Sequence, residues 1–517
     1  VSIGRIAEVC ESFHAAKGEK GWFVGTGRRR IAMVFSALLA VLIAHPVAAQ
    51  GPMPTPAQTP TPASNETPTL PVVESPAVKL GETFPLSAAV VDRGGGGERL
   101  LTVRLADPLP ANAFVLVSAI SGDRGRETNR ALPTQWELST EDKSPRVWWI
   151  APPRNDKAAE GERFRIERIE PSAATRAKSP AAAELEIRKL AAAGRVPLDI
   201  QQTRDALIVR RGESRILRYN SGHIEPPAGV DSKYGRSAFI HPAWTPSGAV
   251  ATDQFPPDHL HQSGIFLAYT KTVFEGREPN FWDLLAGKGR VRFEALKGIV
   301  AGPVFAEFQV DHAHVDLTGS AEKAVLRETW AVRVWNIGGP ADRFWVWDIT
   351  STVRCASASP LRLPQYHYGG MAVRGGRDWK TNAVRFRTSE GLGRATGNHS
   401  RPRWCDMSGP VEPANADSSF NSNSNSNSNS SSSTKDNDDP SQVSIAGIAL
   451  LTHPRNFRFP EPLRIHPSMP YMVYTPSQLG AWSIEPGMAR TSHYRWVVHD
   501  GDLPPESIER IWQAFAR

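Results

Sequence analysis

Two neighbouring stretches constrain the fold more than anything else in the chain. Residues 325–335 read VLRETWAVRVW and residues 344–353 read FWVWDITSTV, with apolar side chains recurring at every second position. A period of two belongs to strands with one buried face, because a helix of about 3.6 residues per turn cannot gather such a set on one side. Helical periodicity is nearly absent around them, and eleven of the chain's 15 tryptophans lie between residues 197 and 517. The pattern predicts a large antiparallel sandwich over residues 197–517.

Upstream, the apolar runs are shorter. Residues 83–91, 100–106, 113–120 and 147–151 alternate with turn signals such as Gly94-Gly95-Gly96-Gly97, predicting a small β-sandwich over 73–172. Ser179-Pro180 then opens a linker helix over 179–194: Ser suits the N-cap, Pro the first turn and Gly194 the exit. Residues 504–517 read as a closing helix. A chain of 517 residues exceeds what one core organises. The predicted class is all-β, a small N-terminal β-sandwich domain followed by a large, supersandwich-like antiparallel β-sandwich domain.

Three segments do not read as packed structure. Arg28-Arg29-Arg30, a short apolar run over 31–44 and the small residues ending at Ala49 have the order of a cleavable signal peptide, assigned to 1–49. The run is too short for a permanent span, so a periplasmic or secreted location with no membrane span after leader removal is expected. Residues 50–72 are Pro- and Thr-rich and read as a disordered linker, and the Asn/Ser tract within 412–440 reads as a disordered insertion. Three units of the net +7 charge belong to 1–49, and the remaining arginines are scattered, which does not support a nucleic-acid partner. Export permits a disulfide between Cys355 and Cys405, and two free thiols are equally compatible with the sequence.

Candidate chemistry is concentrated in the second domain. His259 and His261 project together if the segment is extended, the arrangement that pinches a metal or holds a polar ligand. Gln262 follows them, and Phe281-Trp282 could stack on a sugar ring. Glu328 lies on the apolar face of 325–335, where a carboxylate must be paired with an arginine or have the raised pKa that general acid–base catalysis uses. Tyr366-His367, with Gly369-Gly370 and Arg374, and the turn residues Asp406, His453 and Asn456 supply further polar groups. Loops of a sandwich can gather such groups at one edge. No GxSxG elbow, Walker loop, HExxH, CxxC or dinucleotide fingerprint is present.

The segments FIHPAWTPSG, FPPDHLHQSGIFLAYTKTVFEG, YHYGGMAVR, WCDMSG, HPRNFRFPEP and YRWVVHDG resemble the PmoA family of exported bacterial proteins, over roughly residues 205–505. That family carries His-x-His-His where this chain reads His259-Leu260-His261-Gln262, and Gln is a poor transition-metal ligand, so neither a metal nor another cofactor is expected. The resemblance implies a sandwich like those of galactose-mutarotase-like proteins, acting on or binding a carbohydrate or other polar small molecule. On that logic Glu328 is the candidate base, and His259, His261 and His367 are acid or positioning groups. Gln262, Trp282, Tyr366, Arg374, Asp406, His453 and Asn456 are substrate contacts. A sugar epimerase, lyase or hydrolase is the leading reading, beside a non-catalytic glycan- or protein-binding protein and a metal-dependent oxidoreductase. The enzyme reading requires these side chains to converge.

Overall fold

Strands with one apolar face must bury it against another layer, and in the computed structural model the chain does so twice in succession. It describes residues 77–517 apart from 86–89, 94–97, 111–112, 122–127, 140–141, 153–162, 170–178, 381 and 412–443. The leader, the Pro/Thr-rich linker and the Asn/Ser insertion lie outside the described residues.

The first sandwich contains β1 (Thr83–Pro85), β2 (Val90–Arg93), β3 (Arg99–Arg104) and β4 (Val115–Ser121). It continues with β5 (Thr128–Leu132), β6 (Thr134–Leu138), β7 (Pro145–Ala151) and β8 (Arg163–Arg168). They form two antiparallel sheets, β1-β8-β4-β5 and β2-β3-β7-β6. The run over 83–91 is therefore not one strand: its two ends, β1 and β2, belong to different sheets. Phe84, Leu101, Val117, Val147, Trp149 and Phe164 fill the space between the layers. Helix α1 (Pro180–Ala192) follows, with the Ser179 hydroxyl accepting from the Ala182 N–H at 3.1 Å.

The second sandwich opens with β9 (Leu198–Gln202), β10 (Ala206–Arg211), β11 (Ser214–Asn220), β12 (Phe239–Ala243) and β13 (Ile265–Ala268). Four long strands come next: β14 (Gly289–Val300), β15 (Phe305–Asp316), β16 (Lys323–Gly339) and β17 (Phe344–Cys355). Then come β18 (Leu361–Leu363), β19 (Gly370–Arg374), β20 (Arg385–Thr388), the short helix α2 (Arg394–Gly397) and β21 (Trp404–Val411). The chain ends with β22 (Ser444–Thr452), β23 (Leu463–Ile465), β24 (Tyr471–Tyr474), β25 (Trp482–Ile484), β26 (Arg490–Asp500) and helix α3 (Pro505–Phe515). One eight-stranded sheet runs β23-β24-β19-β13-β12-β11-β10-β9 and the other β14-β15-β16-β17-β26-β22-β21-β20. Tyr219, Phe266, Trp330, Trp347, Met472 and Trp496 belong to the core they share. The all-β sandwich expected from the alternation is what forms. Cys355 and Cys405 are free thiols.

The outer face of the second large sheet is also apolar. Phe305, Trp335, Val346 and Val497 bury it against Leu100 and Ile150 of the first sandwich and Ile508 and Ile511 of α3. Polar contacts fix this interface. Arg333 bridges Glu137 and Glu307, at 2.6 Å to each, and the Gln135 side-chain oxygen accepts from the Val304 and Phe305 N–H groups. Among the described residues, no helix is long and apolar enough to cross a membrane.

Candidate functional site

The connection from β12 to β13 carries His259 and His261 past the ends of β19 and β24. It is not the extended segment that the sequence suggests: the His259 N–H bonds Pro256 O and the Gln262 N–H bonds His259 O, so the two histidines sit in successive turns. Their rings still meet, with centroids 5.5 Å apart. His466, from the turn between β23 and β24, brings a third ring to 5.7 Å from His259. Gly264 closes the loop at φ +50°, where any Cβ would collide with the Ile240 carbonyl. Its carbonyl accepts from the Arg374 N–H at 2.9 Å, tying the loop to β19.

Arg374 fixes the geometry of this corner. Its guanidinium lies 2.9 Å from the Asp258 carboxylate, donates to Gln262 Oε1 at 3.1 Å and touches Met469 Sδ at 3.2 Å. The structure thus brings His259, His261, Gln262 and Arg374 together. Burial pushes the His259 imidazole below its usual range and His261 down to about 4, with His259 adding to the effect on His261. His466 is likewise lowered by burial and by Arg464, to about 4. All three are neutral near pH 7, each ring offering one donor and one acceptor. Within the corner, His259 Nδ1 and Arg374 Nε are buried without a partner.

Tyr366 and His367 form an aromatic group with Tyr368, centroids 4.4 to 4.9 Å apart. Tyr368 packs on Trp282 at 5.5 Å, Trp282 on Tyr471 at 5.9 Å, and Tyr471 is the register partner of Arg374. Trp282 itself is 2 % exposed and belongs to the core, not to a stacking platform.

Glu328 sits elsewhere, sealed between the large sheets. No arginine pairs with it. His314 Nε2 donates to Oε2 at 2.8 Å and His312 Nδ1 lies 3.5 Å from the same oxygen, while Trp330 Nε1 and the Ser351 hydroxyl donate to Oε1 at 2.6 and 2.5 Å. Burial by itself would raise its pKa, but the two histidines outweigh it and hold the carboxyl well below the usual range. That is the opposite of the raised pKa expected of Glu328 as the candidate base. Tyr219 extends the network through a 2.8 Å contact with His312. His312 and His314 escape sequence reading, although VDHAHVD places both on the apolar face of β15 and His312 faces Glu328 in register.

The remaining candidates are engaged locally. Asp406 holds His499 Nε2 at 3.0 Å. His453 accepts the Arg455 N–H and packs on His493 and Phe515. Asn456 clasps the His493 backbone and donates to Glu461 Oε2 at 2.9 Å, while Tyr494 donates to the other Glu461 oxygen at 3.0 Å. Desolvation pushes Glu461 up to about 7. The single pocket uniting Glu328, His367 and His453 with the His259 pair is not formed. Glu328, His367 and His453 each meet their own neighbours instead. Among the described residues, no three His, Cys, Asp or Glu side chains are arranged to hold a metal ion.

Fold and site together define an all-β double-sandwich protein with an imidazole–guanidinium corner at one end of a large sheet. By its sequence, the chain belongs to DUF6807, a family of unknown function, whose pattern matches residues 206–513. No curated protein matches. A solved structure, the heparan sulfate lyase HepC from Pedobacter heparinus, is similar at 8 % identity and a TM-score of 0.20, over 62 % of this chain and 40 % of that one. The chain thus spans less than half of that enzyme, and a likeness at this score carries no argument.

Proposed function

We propose that this is an exported protein of PmoA type that binds a carbohydrate at the His259–His261–His466–Arg374 corner. One observation carries the reading: three neutral imidazoles gather beside a fixed guanidinium, and His259 Nδ1 has no protein partner. Vicinal hydroxyls, each both donor and acceptor, complement such a set. The basic, apolar and small-residue order of the leader supports export. Glu328 takes no part in this site, because its carboxylate is held in the core by His314, Trp330 and Ser351.

The test is calorimetric titration of the full chain with a panel of mono- and oligosaccharides, followed by mass spectrometry of the mixtures. Binding that His261→Ala abolishes at unchanged melting temperature supports the site. A modified saccharide marks an enzyme, and saturable heat without product marks a binding protein. Absence of heat and of product across the panel at millimolar concentration refutes the reading.

A further inference from the structure

Beneath the turn that carries His261 lies an arginine with no anion. Arg236 is 4 % exposed, and its guanidinium stacks over Phe266 at 4.8 Å and Phe239 at 5.6 Å. Its one side-chain hydrogen bond is a long contact of 3.5 Å from Nη1 to the His261 carbonyl, and Nε is buried without a partner. The buried Arg374 and Arg495 are matched with Asp258 and Asp348, and the half-buried Arg333 with Glu137 and Glu307. Burial alone pushes Arg236 down to about 10, with no nearby carboxylate acting against it. A guanidinium removed from water needs a counter-charge, and stacking on two phenyl rings replaces only part of it.

We infer that the ligand of the histidine corner is a sugar acid whose carboxylate is held at Arg236, which makes Arg236 the residue that selects acid over neutral sugar. This rests on the carbohydrate reading of the same corner and narrows it. Arg374 is already committed to Asp258 and Gln262, whereas Arg236 keeps most of its five donors, so the anion falls to Arg236.

The experiment titrates the full chain with D-glucuronate and D-galacturonate, with D-glucose and D-galactose, and with acetate, at low and high salt. The expected result is that the acids bind roughly tenfold tighter than the neutral sugars or better, that salt erodes the preference, and that acetate binds weakly. Arg236→Met should bring acid and neutral sugar to within about threefold, with a ligand-free melting temperature equal to or above that of the wild type, since an unpaired buried charge is removed. Equal binding of acids and neutral sugars to the wild type overturns the inference and leaves the carbohydrate site standing. Binding of acetate alone, or of nothing, overturns the carbohydrate reading and the sugar acid with it. Should Arg236→Met fail to fold, the wild-type comparison and its salt dependence still decide.

Discussion

His314 Nε2 lies 2.8 Å from Glu328 Oε2, and both side chains are fully shut off from solvent between the large sheets. With Trp330 and Ser351 on the second oxygen, the carboxylate has a donor for each side, which is how a charge survives in a dry core. This network ties β15, β16 and β17 together from inside.

Removing the carboxylate should therefore unfold the sandwich, not silence a site. Glu328→Ala leaves three buried donors unpaired and should cost about 3–5 kcal/mol, read as a lower urea midpoint. The native pKa lies below the ordinary 4.5, so the folded state holds fewer protons than the unfolded one in acid. Its stabilisation is complete above about pH 4.5 and lost as the pH falls further. Glu328→Gln should flatten the acid limb of a stability–pH curve, and an unchanged limb would disprove this assignment.

Glu461 has the opposite sign. Its native pKa, about 7, exceeds the ordinary 4.5, so its contribution is fully present below pH 4.5 and lost as the pH rises through 7. The swing amounts to about 3 kcal/mol. Glu461→Gln should thus melt at nearly the same temperature at pH 5 and pH 8, where the wild type loses several degrees. Scanning calorimetry at both values checks it.

The two sandwiches are joined by Arg333, whose guanidinium meets two carboxylates and lies 4.3 Å over Phe305. Arg333→Ala strands Glu137 and Glu307 at a half-buried interface and should cost roughly 3 kcal/mol. The expected signature is a thermal transition split into two, together with faster proteolysis between the domains.

Gly264→Ala should remove ligand binding without touching a ligand-contacting side chain. The substitution forces a Cβ into the Ile240 carbonyl and strains a positive φ, a destabilisation of about 1–3 kcal/mol concentrated in the histidine loop. Calorimetric titration against the wild type, with amide exchange across 253–264, measures both effects.

Much of the secondary structure is legible in the residues themselves. Apolar alternation marks β16 and β17, and Ser179 and Pro180 start α1. Part of the site is legible too: His259, His261, Gln262 and Arg374 stand out and do meet. His466 and Arg236 do not stand out, because a histidine in a short turn and an arginine beside a serine carry no local signal.

What the sequence determined alone was which face of the alternating strands, β16 and β17 above all, turns to the shared core, since that depends on period two. Which strand lies beside which, and in what register, came only with the tertiary structure. Register sets His312 opposite Glu328, and sheet order brings the turn of His466 beside the loop of His259. The reason is physical: face is a property of neighbouring residues, whereas pairing is won by hydrogen bonds and packing between segments far apart along the chain.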